Sequence, residues 1–284
     1  MSKTVLGVHI NVPGIEVALI DMDTNLTVPG TTVFQAIDPQ ESLENLLNCW
    51  VDTIEKCPGF NRDLLIGLGI PGPFDYEKGI SLMKNQQKFD ALYKVNVKEL
   101  LAERLGVPAE NIRLDNSTPC FLRGEVASGA GKDYANILSF TLNTGLGSAL
   151  YSQGVSVDGH LWNKPFRDGI AEDYLGIQWI SRRYEEFTGM YISDLKELTE
   201  MAENDDGLGQ LVFNEYGENF FKFLIEQIEK YDPETVLIGG HNNAWDLFIP
   251  HVKDRLGDKN VRIPILQAEL GDDATLIVAA KLWS

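Results

Sequence analysis

Small and hydroxyl-bearing residues lie between two apolar segments at positions 141–148, in the order Thr-Leu-Asn-Thr-Gly-Leu-Gly-Ser. Gly145 and Gly147 permit positive φ angles and let a ligand come close to the backbone. Thr144 and Ser148 add hydroxyl groups beside the backbone N–H donors of the turn. Backbone donors arranged in this way can bind a phosphate group. The pattern predicts a phosphate-binding hairpin, and an ordinary glycine-rich β-turn is the alternative that stays open.

Two further segments place chemically useful residues at the ends of apolar runs. Asp115 ends a short apolar run and precedes a helix-like segment that contains Gly124 and Glu125. A carboxylate at such a position can accept a proton from a substrate hydroxyl, or it can cap the helix that follows. Gly239 and Gly240 end a second apolar run, where a buried strand is expected to turn into a helix.

The composition is that of a globular protein with an acidic surface. The chain has 284 residues, of which 44% are hydrophobic and 23% charged, so there is room for two modest domains. Its formal net charge of −18 argues against a nucleic acid as partner, because binding to a phosphate backbone needs a basic face. A nucleotide is not excluded, since it needs only a local set of donors. The chain has neither 18 consecutive apolar residues nor a signal-peptide pattern, so we expect a cytoplasmic protein without membrane contact.

Hydrophobic periodicity predicts a chain in which strands and helices alternate. The predicted strands cover residues 4–10, 15–21, 64–70, 112–115, 236–238 and 263–266, with two more joined by the hairpin within 137–150. The predicted helices cover residues 39–56, 97–105, 173–188, 194–204, 208–231 and 274–282, and a further helix-like run starts at 120. This order predicts an α/β protein with mixed sheets covered by helices.

The order of these segments resembles the ROK family of sugar kinases and sugar-responsive proteins. The resemblance rests on Asp115, on Gly124 and Glu125 with the Gly-Ala-Gly at 129–131, on the hairpin, and on the Gly239 turn. It implies the two-domain actin-like ATPase architecture, of the ribonuclease H-like type, with a cleft between the domains. It also implies an N-terminal domain over residues 1–115, a larger C-terminal domain over 116–269, and a closing helix at 270–284 that packs back on the first domain.

The resemblance assigns roles to particular residues. It makes Asp115 the base that accepts the proton of a sugar hydroxyl during phosphoryl transfer from ATP, with Mg²⁺ neutralising phosphate charge. The implied sugar ligands are Asn85, Asp115 and Glu172, and the implied nucleotide-binding residues are Thr144, Gly145, Gly147, Gly239 and Gly240. Simpler interpretations stay open: Asp115 could cap a helix, Glu172 could favour a helix N-terminus, and Asn85 could be an exposed loop residue.

The first phosphate loop of the family, a DxGGTK-like hairpin, is altered in this chain. His9 stands in place of the family Asp, and Asn11, Val12 and Pro13 replace the Gly-Gly-Thr. Proline has no backbone N–H, and a β-branched valine resists positive φ. We therefore expect this loop not to cradle phosphate.

The Asp115 segment also departs from the family pattern. The family Asn that precedes the Asp is Leu114 here, and the segment up to Gly124 is two residues longer than usual. Farther along, His241 replaces the third glycine that often follows Gly239 and Gly240.

The family's zinc motif, CxCGxxGC, is absent. Cys49, Cys57 and Cys120 are scattered without CxxC spacing, which supports neither a disulfide framework nor a zinc site. The family's AGEIGH segment is unrecognisable at residues 159–165. We expect no structural zinc and no other metal held by the protein.

Two functions follow from the resemblance. The first is an ATP-dependent sugar kinase acting on a hexose-type sugar, with a small-molecule sugar and a nucleotide as partners. The alternative is a non-catalytic protein of the same fold that binds a sugar or sugar phosphate. A transcriptional repressor would need a helix-turn-helix, which we do not expect because the first strand begins by Thr4. The identity of the sugar and any homo-oligomeric state are not fixed by these residues.

Overall fold

The computed structural model describes residues 4–12, 14–85, 88–143, 145–192, 195–204, 207–240 and 244–283. The strands are β1 (Thr4–Ile10), β2 (Gly14–Asp21), β3 (Leu26–Thr27), β4 (Val33–Ala36), β5 (Ile66–Ile70), β6 (Phe74–Asp75), β7 (Ile80–Ser81), β8 (Ile112–Asn116), β9 (Asn136–Leu142), β10 (Leu146–Ser152), β11 (Val155–Asp158), β12 (Pro165–Phe166), β13 (Gly169–Ile170), β14 (Thr235–Gly239) and β15 (Ile265–Gln267). The helices are α1 (Leu43–Lys56), α2 (Val97–Leu105), α3 (Ser117–Ser128), α4 (Ala171–Leu175), α5 (Ile177–Thr188), α6 (Leu195–Glu203), α7 (Gly207–Tyr231), α8 (Trp245–Asp258) and α9 (Asp272–Ala280).

Two compact units share these elements. The first unit joins Met1–Ser128 to Leu270–Ser284, and the second is Gly129–Glu269. Each unit contains a mixed sheet with helices, so the expected α/β class is confirmed. The division keeps α3 with the first unit, and the domain boundaries expected from the sequence stay a prediction.

The first unit is organised around a sheet of order β3-β2-β1-β5-β8, with β4 also pairing with β2. The pair β1 and β2 is antiparallel, whereas β1, β5 and β8 run parallel to one another. Side chains alternate along β1, so that Leu6, Val8 and Ile10 belong to the core with α1 and α2, while Val5 packs with residues of α9. Helices therefore cover both faces of this sheet.

Helix α1 begins four residues later than its periodicity predicts. The side chain of Ser42 accepts a hydrogen bond from the amide of Asn45 at 3.2 Å, which satisfies one of the donors that a helix N-terminus leaves open. Leu46, Trp50 and Ile54 then form the buried face. The cap, rather than the apolar spacing, sets the start of the helix.

The contact between α9 and the first sheet requires glycine. A Cβ atom on Gly7 would lie 2.5 Å from the carbonyl oxygen of Leu276, and one on Gly67 would overlap the carbonyl of Ala279 and lie 2.8 Å from the amide nitrogen of Ala280. The missing side chains let the helix backbone lie directly on β1 and β5.

A buried carboxylate fixes the start of α9. Glu125 is fully buried in α3, and its Oε1 accepts hydrogen bonds from the amides of Leu270 at 2.8 Å and Gly271 at 3.2 Å. Amide donors before a helix are natural partners for a negative charge. The interaction ties two segments of the first unit that lie 145 residues apart in sequence.

The second unit has a sheet of order β11-β10-β9-β14-β15. Strands β9 and β10 form the predicted hairpin, and β14 runs parallel to both β9 and β15. Aromatic rings fill the core beside this sheet: Phe140 meets Phe220 edge to face at a centroid distance of 5.5 Å, and Phe223 contacts both Phe140 and Phe166. The long helix α7 supplies two of these rings, Phe220 and Phe223.

The helix predicted at residues 173–188 is wrong as a single element. The structure has two helices there, α4 and α5, which meet at Gly176 in an extended conformation with φ −75° and ψ 153°. The break lets the amide of Ile177 donate to the carbonyl of Asn143 at 3.1 Å. Periodicity alone gave no sign of this tertiary hydrogen bond.

None of the helices in the described part of the chain combines the length and the apolarity that a membrane span requires.

Replacing Gly67 with alanine should destabilise the protein by about 1–3 kcal/mol, because the new methyl group overlaps the backbone of α9. Gly257→Ala is the matched control: it lies in α8 with nothing within 4 Å of the added carbon, so it should be neutral or stabilising by up to about 1 kcal/mol. Denaturant unfolding of the three proteins measures both effects. Equal stability of Gly67→Ala and the wild type would contradict the close approach.

Candidate active site

The predicted phosphate hairpin is formed by β9 and β10, which meet at residues 143–145. Leu142 pairs with Leu146 at the end of the ladder, and the amide of Asn143 donates to the carbonyl of Gly145 at 3.1 Å. Thr144 lies outside the described residues. Gly147 does not sit in the turn, as its expected role requires, but within β10 opposite Thr141. The phosphate-binding role of Thr144, Gly145 and Gly147 stays a prediction.

Ser148 lies in a strand and not in the turn, and it binds a neighbouring loop. It is buried in β10, where its Oγ accepts a hydrogen bond from the amide of Leu161 at 3.0 Å and its carbonyl accepts one from Gly159 at 2.9 Å. These bonds hold the loop that precedes β12. The hydroxyl of Ser148 is therefore used as an acceptor by the backbone next to the strand.

The second predicted nucleotide segment, Gly239 and Gly240, lies directly beside the hairpin. Gly239 pairs with Thr141, because β14 is parallel to β9. Gly240 has a φ of 75°, and a Cβ atom on it would lie 2.5 Å from Oδ1 of Asn143 and closer still to the carbonyl oxygen of Leu142. Glycine is therefore required here both by the backbone angle and by the space. His241 follows outside the described residues.

Glu172 binds the hairpin through its carboxylate. It lies in the first turn of α4, and its Oε2 accepts a hydrogen bond from the amide of Leu146 at 2.9 Å. Its own amide donates to the carbonyl of Trp162 at 2.9 Å. The carboxylate thus takes one of the hairpin donors, and its expected contact with a sugar stays a prediction.

Asp115 lies in β8, where it pairs with Gly69 of β5. One carboxylate oxygen accepts a hydrogen bond from the amide of Asn116 at 2.7 Å, and the other forms an ion pair with Nη2 of Arg123. The capping role considered for Asp115 belongs to its neighbour, since Oδ1 of Asn116 accepts from the amide of Thr118 at 3.0 Å. The side chain of Asp115 is 27% exposed.

Arg123 is the functional candidate that the sequence analysis missed. Its guanidinium balances the charge of Asp115 and contacts Sγ of Cys120 at 3.2 Å, while its Nε is buried with no hydrogen-bond partner among the described residues. Burial raises the pKa of the Cys120 thiol to about 12, and the negative charge of Asp115 adds to this shift. The available signal was one arginine within the apolar run of α3, six residues after the start of the helix.

Asn85 lies away from regular structure, after β7. It is exposed and has a φ of 57°, which asparagine tolerates better than most residues. Residues 86–87 fall outside the described part of the chain. Its expected contact with a sugar stays a prediction.

The N-terminal turn uses its amides internally. The amide of Asn11 donates to the carbonyl of Gly14 at 2.9 Å, and that of Gly14 returns a bond to Asn11 at 3.0 Å. The amide of Val12 donates to Oδ1 of Asn11 at 2.8 Å. Pro13 lies outside the described residues, and a proline has no N–H. Every amide of this turn that the structure describes thus has an acceptor inside the turn, which supports the expectation that it does not cradle phosphate.

No set of three or more His, Cys, Asp or Glu side chains within the described ranges is arranged to hold a metal ion. The three cysteines are free thiols, and burial raises the pKa of Cys57 to about 11. The absence of structural zinc stays a prediction.

A family model described as the ROK family matches residues 5–163, which is more than half of the chain. Among curated relatives, a β-glucoside kinase of Listeria innocua is 24% identical over 219 residues, covering 71% of this chain and 72% of the relative. An N-acetyl-D-glucosamine kinase of Mannheimia succiniciproducens is 25% identical over 277 residues, covering 86% and 89%.

A solved structure extends the likeness to the fold. The crystal structure of a ROK family glucokinase from Streptomyces griseus, in complex with glucose and AMPPNP, superposes with a TM-score of 0.80 at 20% identity. The match covers 98% of each chain. The two-domain actin-like ATPase architecture expected from the sequence is thereby confirmed.

Gly240→Ala should destabilise the second unit more than a positive φ angle alone would do. An alanine at positive φ costs about 1–2 kcal/mol, and the overlap with the hairpin adds about 1–3 kcal/mol. Gly154→Ala is the control, because Gly154 also has a positive φ, 85°, but nothing lies within 4 Å of the added carbon. Thermal or denaturant unfolding compares the two variants, and equal losses would rule out a close contact between the glycine turn and the hairpin.

Proposed function

The chain belongs to the ROK family, and on that basis we propose that it is an ATP-dependent sugar kinase that transfers the γ-phosphoryl group to a hydroxyl of a hexose-type sugar. The relatives named as kinases of β-glucosides and of N-acetyl-D-glucosamine support this reaction class. The observation that carries the proposal is the contact of Gly240 with the turn of the β9–β10 hairpin, which assembles two glycine segments suited to a nucleotide.

The nucleotide end of the proposed reaction depends on these two segments. The turn of the hairpin, with Thr144 and Gly145, binds the β- and γ-phosphates in this proposal, and the nucleoside lies against the backbone of Gly239 and Gly240. Gly147, within β10, contributes by bringing the backbone close without a side chain. Mg²⁺ arrives with ATP and supplies neutralisation of phosphate charge.

The sugar end of the proposed reaction depends on acidic and amide side chains. Asp115 accepts the proton of the attacking hydroxyl, and Arg123 orients its carboxylate through their ion pair. Glu172 and Asn85 hydrogen-bond other hydroxyls of the sugar. We place the enzyme in the cytoplasm, where ATP is available.

A second candidate, a sugar-binding protein without kinase activity, is favoured by the geometry of α3. The family spacing from its Asp to Gly124 and Glu125 is two residues shorter than the spacing from Asp115. Helix α3 runs from Ser117 to Ser128 without interruption, which leaves no bulge in which two extra residues could sit. If the segment has no insertion relative to the family, Ser117 aligns with the family Asp, and Asn116 aligns with the Asn that precedes it. A serine there has no carboxylate to accept the proton.

The N-terminal turn favours the same candidate. Its described amides already donate to acceptors within the turn, so a phosphate would have to displace those bonds. Each charge-assisted hydrogen bond that is lost costs about 1.5–3 kcal/mol, or roughly ten- to a hundredfold in affinity.

Titration of Mg-ATP into the purified protein separates the two candidates. For the kinase we expect saturable heat, with a Kd in the upper part of the range of about 1 µM to 1 mM that is usual for enzyme KM values, because the N-terminal turn uses its described amides internally. Glucose and N-acetylglucosamine are titrated in parallel. No heat at millimolar Mg-ATP, together with clear binding of a sugar, would overturn the kinase and support the sugar-binding protein.

Substitutions at the two alternative base positions give the second test. In an active kinase, Asp115→Asn should lower kcat at least about 100-fold with little change in sugar affinity, because asparagine can hydrogen-bond but cannot accept the proton. Ser117→Ala is the matched control and should keep most of the turnover. If the wild type shows no phosphorylation while Ser117→Asp gains it, the base assignment to Asp115 is wrong.

A further inference from the structure

A cavity of about 760 Å³ lies within the second unit and contains none of the residues assigned to the proposed reaction. It is bounded by the β12–β13 hairpin and by helices α4, α5 and α7. Its lining side chains include Arg167, Asp168, Tyr174, Trp179, Arg182 and Asn219. Its volume falls in the range of about 300–1,000 Å³ that is usual for small-molecule sites.

Aromatic rings that are fixed by packing line part of this cavity. Tyr174 and Trp179 are both half-buried. The ring of Tyr174 meets Phe166 edge to face at 5.6 Å, and that of Trp179 lies 6.2 Å from Tyr216, whose hydroxyl donates to the carbonyl of Leu175 at 2.7 Å. Rings held in place lose little conformational entropy when a ligand packs on them.

A buried amide side chain supports the polar part of the cavity. Asn219 on α7 is 2% exposed, and its Oδ1 accepts a hydrogen bond from Nη2 of Arg167. The guanidinium of Arg167 also lies 5.4 Å from the centre of the Tyr174 ring. A donor group is thereby held next to an aromatic ring.

The charges along the cavity are largely compensated by neighbours. Three guanidinium groups line it against five carboxylates, a formal balance of −2. Arg183 binds Glu215 with two hydrogen bonds, at 2.6 and 3.2 Å, and Glu186 with one at 2.5 Å. The pKa of Glu218 is lowered to about 2, chiefly by its hydrogen bond with Arg255. This balance disfavours an anionic ligand.

Two polar side chains at the cavity still have hydrogen-bonding capacity. Arg182 donates to the carbonyl oxygen of Asp173 at 3.0 Å, while a guanidinium carries five N–H donors. The carboxylate of Asp173 accepts from the amide of Ile170 at 3.0 Å, while a carboxylate offers about four acceptor positions. Donors, acceptors and rigid rings around one cavity are the chemistry that recognises a neutral polyhydroxylated molecule.

We propose that this cavity is a separate binding site for a neutral saccharide, which packs on Tyr174 and Trp179 and hydrogen-bonds with Arg182 and Asp173. The site lies entirely within the second unit, and its use requires neither ATP nor Asp115. It is independent of the proposed phosphoryl transfer, and it holds equally for a sugar-binding protein without kinase activity.

Calorimetric titration without ATP tests the proposal, with glucose as the monosaccharide probe and cellobiose as the disaccharide probe. We expect at least one of them to bind saturably, and Arg182→Ala and Trp179→Ala each to weaken that binding at least about tenfold. Arg182 is exposed and donates to a backbone carbonyl, so its variant should fold even if the tryptophan variant does not. Arg262→Ala is the control in the same unit, since Arg262 is exposed and does not line the cavity.

The same titrations with Glu172→Gln distinguish this site from the proposed sugar ligands of the kinase. Unchanged saccharide affinity in that variant supports a separate site, whether or not Mg-ATP binds. Affinity lost in Glu172→Gln but kept in Arg182→Ala overturns the proposal, as does loss of one and the same binding event in both variants. Absence of saccharide binding up to tens of millimolar, or saturable binding of inorganic phosphate that Arg182→Ala abolishes, also overturns it.

Discussion

The first unit depends on one buried carboxylate. Glu125 is fully enclosed, and a charge without partners in such surroundings would cost several kcal/mol. The amides of Leu270 and Gly271 satisfy it, and in doing so they fix where α9 begins. From that point the helix backbone lies on Gly7 and Gly67, and it covers the face of the sheet that α1 and α2 leave uncovered. Asp115 is carried by the outer strand of this sheet, so its position depends on the same interaction.

The two glycine-containing turns differ in where their backbone amides and carbonyls find hydrogen-bond partners. In the N-terminal turn, short range hydrogen bonds among Asn11, Val12 and Gly14 make a closed loop. In the β9–β10 hairpin, the neighbouring elements take up specific groups instead: Glu172 binds the amide of Leu146, and Ile177 binds the carbonyl of Asn143. The described amides of the first turn are satisfied within the turn, whereas the second combines an internal bond from Asn143 to Gly145 with bonds to two helices. A phosphate site needs N–H donors that are held in place by the surrounding structure and are not already bonded to another acceptor.

The sequence predicted what local patterns determine and missed what distant contacts determine. Strands β1 and β2, helix α2 and the glycine hairpin follow from alternation, periodicity and turn residues, and the structure confirms them. The break at Gly176 depends on Asn143, which is distant in the sequence, so no local window contains the partner. Arg123 lies only eight residues after Asp115, but their ion pair depends on how β8 turns into α3, which the residue types do not specify. Gly147 was assigned to a turn because glycine is permissive, although strand pairing uses it in extended form. Roles at Asn85 and Glu172 rest on family resemblance, and their local structure fits more than one use.

The contact of α9 with the first sheet also determines which unit can complete its folding first during synthesis. Nascent chains emerge from the ribosome in sequence, and domains generally fold as units as they appear. The second unit is one continuous segment, Gly129–Glu269, whose partners are all present once it has emerged. The first unit joins two segments, one on either side of the second unit. Gly7 of β1 and Gly67 of β5 therefore stay uncovered until α9 has been synthesised. During that interval a glycine-lined surface is accessible to chaperones or to other chains, and the arrival of residues 270–284 closes it.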